Sequence, residues 1–209
     1  SCFIYGGRQL GKTVLLREAS RKFHSPQEGA YSIYLELKSH GIGSFLDINI
    51  LPQFIGQKLI EILPDFNPRV NKIKTETLRI KIREWLHKNT ESRILLFLDE
   101  ADNFLEADAK ADFPISASLK GLMEETDKRF KVVFAGLHNV RRTTKISNHP
   151  LAHFGNPICV GPLNNSTDAI EAEKLIRVPL ESLGFRFENE DSVFLILNHT
   201  NWYPSLIQI

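Results

Sequence analysis

Ile4-Tyr5-Gly6-Gly7-Arg8-Gln9-Leu10-Gly11-Lys12-Thr13-Val14-Leu15-Leu16 is a β-rich apolar run, then Gly-x-x-x-x-Gly-Lys-Thr, then a stretch with helical spacing of apolar residues. Each residue type in it has a physical task. Gly6 and Gly11 allow tight turns at positive φ, so that successive amide N–H groups face inward around an anion. The helix N-terminus adds its partial positive charge. Lys12 can reach the β- and γ-phosphates of a nucleotide, and the Thr13 hydroxyl can ligate a Mg²⁺ that bridges them. Gly6, Gly7, Arg8, Gln9, Leu10, Gly11, Lys12 and Thr13, with Val14 on the following turn, are therefore the candidate phosphate-binding residues.

Such a site needs a carboxylate at the end of a neighbouring buried strand. Ile94-Leu95-Leu96-Phe97-Leu98-Asp99-Glu100 provides one. Its five apolar residues read as a strand buried on both faces, with Asp99 at the C-terminal end, where open α/β sheets bind ligands. Asp99 would hold the metal through water, and Glu100 would polarise an attacking water. Asp99-Glu100-Ala101-Asp102 also spells a helicase signature. The match is discounted, because Leu10 stands where such helicases carry a glycine and 209 residues leave no room for a second motor domain. Asp102 reads as a solvated or capping residue.

Working outward, strands are expected at Cys2 to Tyr5, Ser32 to Leu37, Ile94 to Leu98, Lys131 to Ala135 and Ile158 to Val160, separated by helix-length segments. Helical spacing covers Thr13 to Phe23, Phe45 to Leu63 with a break at Pro52, Thr75 to Lys88, Ile115 to Asp127 and Ser166 to Leu175. Shorter helical segments lie near Val178 to Leu183 and Ser192 to Asn198. The alternation means an α/β fold with a mostly parallel sheet. Residues 1–163 read as the core and 164–209 as the start of a small helical lid.

Hydrophobic residues make up 42% and charged residues 24%, which excludes disordered and low-complexity classes. A formal charge of +1 means that no global field draws the chain to nucleic acid or anionic membrane. Cys2 and Cys159 both sit in apolar strand-like runs and are expected to be buried as small hydrophobes. With no disulfide framework, signal peptide or membrane-length apolar run, the expected location is the cytoplasm. A start at Ser1 on a strand, without methionine, and a stop at Ile209 in an apolar segment read as a piece of a longer protein.

With both motifs in place, the chain resembles the P-loop ATPases of the additional-strand, catalytic-glutamate division (AAA+). Lys131-Val132-Val133-Phe134-Ala135-Gly136-Leu137-His138-Asn139 fits the extra strand that carries a polar sensor, with His138 the first choice. Within that division it looks most like the signal-transduction ATPases with numerous domains (STAND) and related bacterial and archaeal ATPases. Val160-Gly161-Pro162-Leu163 looks like their strand exit, and Thr200-Asn201-Trp202-Tyr203-Pro204 like their Gly-x-Pro segment, whose proline touches adenine. Trp202 stands where the family usually has the glycine. The resemblance implies a three-layer sandwich with a five-stranded parallel sheet in order 5-1-4-3-2. It also implies ATP and ADP as ligands, Mg²⁺, and a hydrolytic timer on a conformational switch that involves self-association or other domains.

Arg141 and Arg142, shortly after the sensor strand, could reach a γ-phosphate in cis or in a neighbouring subunit. With Lys128, Arg129, Lys131 and Lys145 they form the densest basic cluster of the chain. That cluster motivates the alternative of a DNA-associated ATPase of the origin-recognition or transposition-helper kind. A small-molecule kinase is a weaker reading, because a water activated by Glu100 would waste ATP. A non-hydrolysing nucleotide sensor ranks lower still, since neither main motif is degenerate.

Overall fold

The computed structural model describes residues 1–45, 47–69, 71, 73–137, 155–164, 168–189 and 191–208. The apolar runs form strands β1 (Cys2–Gly6), β2 (Ala30–Glu36), β3 (Arg93–Asp99), β4 (Phe130–Gly136) and β5 (Ile158–Val160). They make one five-stranded parallel sheet in order β2-β3-β4-β1-β5, which is the expected order read from its other edge. Ile4 lies beside Ala135, Leu98 beside Phe134, and Asp99 beside Glu36. Tyr5, Glu36, Asp99 and Gly136 therefore all stand at the C-terminal edge of their strands.

The chain divides into two compact units, one of Ser1–Tyr5 and Thr13–Ile158, the other of Gly6–Lys12 and Cys159–Ile209. In the first, helices α1 (Lys12–Phe23), α2 (Leu51–Ile62), α3 (Thr75–Lys88), α4 (Asp102–Lys110) and α5 (Pro114–Glu125) accompany the sheet. Its core joins Phe3, Leu35, Leu96, Leu98, Phe104 and Phe134, all at most 3% exposed. The Phe134 ring stacks on Phe3 at 5.5 Å and on Phe104 at 6.3 Å.

Two helices of the first unit depart from expectation. The segment expected from Phe45 breaks into a 3₁₀ turn (Ile48–Ile50) and α2, whose first turn holds Pro52. Proline is tolerated there because its missing N–H has no partner to lose. Helix α4 was not expected, because Asp-Asn-Phe-Leu-Glu-Ala-Asp-Ala-Lys offers only Phe104 and Leu105 as large apolar residues. Its third inward position is an acid. Asp108 is fully buried and caps α5, accepting the N–H groups of Ile115 at 3.0 Å and Ser116 at 2.9 Å. Asp108→Ala would leave both donors unsatisfied, at an expected cost of about 3 kcal/mol. Thermal unfolding should show it as a Tm lower by roughly 6–12 °C. Asp108→Asn, which keeps one acceptor, should lose less.

The second unit holds α6 (Asp168–Ser182), α7 (Asp191–His199) and α8 (Pro204–Ile207). Ala172, Ile176, Val193, Leu197 and Ile207 form its own small core. Helix α6 runs through Pro179, joining two segments that the sequence reading kept apart, because one lost ladder bond does not end a packed helix. The cysteines also differ from expectation: Cys2 is half-buried and Cys159 exposed. β5 is the edge strand of the sheet, so its apolar residues are not covered on both sides. Among the described residues, no helix is long and apolar enough to cross a membrane.

Candidate nucleotide site

β1 ends at Gly6 and α1 starts at Lys12, so the Gly-x-x-x-x-Gly-Lys-Thr loop bridges strand and helix. The two glycines serve different ends. Gly11 has φ +83°, the left-handed backbone expected of it, and its loop neighbour Gln9 has φ +64°. Gly6 is outside the left-handed region, contrary to the sequence reading. A Cβ there would lie 2.3 Å from the Val160 carbonyl oxygen, so glycine is required by close approach of another strand. Leu10 turns its side chain inward and is buried, whereas Arg8 is exposed and Val14 is 70% exposed.

Lys12 is buried, and its ammonium donates to the carbonyls of Gly6 at 3.1 Å and Gly7 at 2.6 Å. Ser205, on α8, donates its hydroxyl to the Gln9 carbonyl at 2.9 Å. Pro204 opens α8 and is half-buried. The strand exit and the proline segment meet, because the Leu163 N–H donates to the Trp202 carbonyl at 3.0 Å. Asn201 (φ +48°) and Trp202 (φ +60°) are both left-handed. The position that the resemblance marks for glycine thus keeps a glycine-like backbone under an indole side chain.

At the end of β3, Asp99 is 1% exposed. Its Oδ1 accepts the Glu100 N–H at 2.9 Å and its Oδ2 accepts the Tyr34 hydroxyl at 2.8 Å. The flanking backbone is pinned, since Asp99 O accepts from Leu37 N and Ala101 N donates to Ala135 O, both at 2.9 Å. Between these anchors Glu100 is left-handed at φ +51° and half-buried. Asp102, the first residue of α4, accepts the Leu137 N–H at 3.1 and 2.9 Å. It therefore ties the exit of β4 to the turn after β3, a more specific task than the solvated or capping role expected.

Tyr34, which the sequence reading missed, has its hydroxyl pushed up to about 12, chiefly by burial. The Arg17 guanidinium lies 5.2 Å over its ring and pairs with Glu36 at 3.5 Å. A signal existed, because period-two alternation puts Tyr34 and Glu36 on one face of a strand next to the Asp99 strand. What the sequence lacks is the register.

His138, Asn139, Arg141, Arg142 and Lys145 lie outside the described residues. Of the remaining basic cluster, Arg129 donates to the carbonyls of Leu86, Asn89 and Ser92. Lys131 sits near the start of β4, at the strand edge opposite Asp99. These two residues do not join the site edge.

No protein-family model matches the chain, and no curated protein sequence matches it. Solved structures do. The Walker-type ATPase PABY2304 of Pyrococcus abyssi matches with TM-score 0.67 at 13% identity, over 99% of this chain and 60% of that one. The ORC1 protein of Aeropyrum pernix, solved in complex with DNA, matches with TM-score 0.57 at 14% identity, over 99% and 51%. The ORC2 protein of the same organism, solved as ADPNP–ADP complexes, matches with TM-score 0.56 at 14% identity, over 92% and 60%. The chain thus spans between half and two thirds of the length of these structures. At such identities the likeness is one of fold, and the fold is that of Walker-type P-loop ATPases.

Proposed function

We propose that this chain is a Mg²⁺-dependent ATPase that binds ATP on Gly6 to Thr13 and hydrolyses it with Glu100. The observation that carries the reading is the end of β3, where a buried, doubly hydrogen-bonded Asp99 is followed by Glu100 in left-handed backbone. Left-handed backbone in a non-glycine residue costs about 1–2 kcal/mol. Such strain concentrates at working sites.

In this reading the loop N–H groups and Lys12 hold the β- and γ-phosphates. Lys12 has three N–H donors, of which two go to Gly6 and Gly7. Thr13 and Asp99 supply hard oxygens suited to Mg²⁺, which keeps water and substrate phosphates as its other ligands. Among the described residues no group of three His, Cys, Asp or Glu could hold a metal alone. When bound, the ion neutralises charge on the phosphate oxygens. Glu100 takes a proton from water as the water oxygen bonds to the γ-phosphorus; the bond from that phosphorus to the β,γ-bridging oxygen breaks, and ADP leaves with that electron pair. Pro204 is assigned the adenine contact, His138 the sensor role, and Arg141 and Arg142 a γ-phosphate contact in cis or across a self-association. Residues 164–209 are assigned to the lid.

For the wider role, the likeness to an ORC1 protein solved with DNA supports a DNA-associated ATPase over a signalling switch. Duplex DNA at low salt is then expected to raise the ATPase rate several-fold and retard the chain in a gel, both effects fading as salt rises. An unchanged rate and mobility would remove this role. The switch reading would then be preferred.

A further inference from the structure

Asp99 and Asp108 are the buried acids among the described residues of the first unit, and of the two only Asp99 stands at the C-terminal end of a strand. A carboxylate that is 1% exposed needs hydrogen-bond partners, and Asp99 has two, neither of them charged. The Glu100 N–H takes Oδ1 and the Tyr34 hydroxyl takes Oδ2. One bond to each oxygen fixes the plane of the group without neutralising it. Among the described residues no basic side chain is ion-paired with Asp99.

The two donors differ in kind. The first belongs to Glu100, the next residue of the chain, and travels with Asp99. The second comes from β2 and ties the carboxylate to another element. Tyr34 is braced in turn by Arg17, which lies over its ring at 5.2 Å and reaches Glu36 at 3.5 Å. Arg17 sits on α1 four residues after Thr13, one helical turn from the proposed metal-binding hydroxyl. A chain of contacts therefore runs from the helix of Thr13 through Arg17 and Tyr34 to Asp99.

We propose that Tyr34 is a positioning residue that orients Asp99 for the metal, setting the affinity of the ATP-loaded site for a divalent cation and not the affinity for the nucleotide itself. The inference rests on the reading that Asp99 directs the metal. Partners that orient a metal-side carboxylate typically govern metal affinity by about 10–100-fold.

Tyr34→Phe removes one oxygen and keeps the ring under Arg17. Manganese binding to the ATP-loaded chain, followed by electron paramagnetic resonance, should weaken by about 10–100-fold in this variant. Binding of ATP in chelator should match wild type, which also shows that the variant is folded. High Mg²⁺ should restore turnover. Arg17→Gln, which removes the brace and leaves the hydroxyl, should weaken manganese binding less and in the same direction, and carries the test if Tyr34→Phe does not fold. Asp99→Asn separates the two levels. If it weakens manganese binding and Tyr34→Phe does not, the positioning role is overturned and the metal reading stands. If Asp99→Asn leaves manganese binding unchanged, the metal reading fails and takes this inference with it.

Discussion

Replacing Glu100 by glutamine is expected to cut ATP turnover by about 10²–10⁴-fold while ATP stays bound. Glutamine has the same shape and cannot take the proton of the attacking water. The neighbours of Glu100 are held by backbone bonds at Leu37 and Ala135, so the substitution should disturb neither strand. Single-turnover hydrolysis, read beside equilibrium ATP binding, separates the two effects. Wild-type turnover in the variant would remove Glu100 from the reaction. The left-handed backbone at φ +51° supplies a companion result. Glu100→Gly should relieve about 1 kcal/mol of backbone strain, so its Tm should equal or exceed that of wild type although its turnover is lost. A side chain retained only for packing would behave in the opposite way, costing stability and sparing activity.

That left-handed turn shows where the sequence stops being legible. The strands could be read because each is a short apolar run between polar, glycine or proline residues, and such runs have few alternatives in an α/β chain. The Lys-Thr pair and the Asp99-Glu100 pair stand out in the sequence because the proposed chemistry requires those residue types at those positions. A glutamate in left-handed backbone carries no mark of it, since its neighbours Asp99 and Ala101 are held by bonds to Leu37 and Ala135, which are remote in sequence. Gly6 misled for a similar reason. Its residue type signalled a turn, whereas the constraint is the Val160 carbonyl, which no local pattern reveals. Helix α4 was hidden because Asp108 faces inward to cap α5, and an inward acid breaks the periodicity that marks a helix. Tyr34 was hidden because its partner lies across a strand pair whose register depends on the whole sheet.

Lys12→Ala should lower ATP affinity on the order of 100-fold, about 2.7 kcal/mol, the worth of a charged hydrogen bond to phosphate. The same substitution should leave the fold intact. Lys12 is buried, and the partners of its ammonium are two neutral carbonyls; among the described residues it is ion-paired with no carboxylate. A buried cation held only by dipoles costs solvation energy that the chain recovers on binding an anion. Removing the charge should therefore leave the ligand-free Tm level or raise it, whereas ATP, which raises the wild-type Tm by linkage, should no longer do so. Lys12→Met, which keeps most of the apolar stem, should show the gain in stability most clearly. A variant that binds ATP tightly would sink the assignment of this loop. A variant that loses both ATP and several degrees of Tm would instead make Lys12 a structural clamp on the carbonyls of Gly6 and Gly7, with the phosphates held by the loop N–H groups alone.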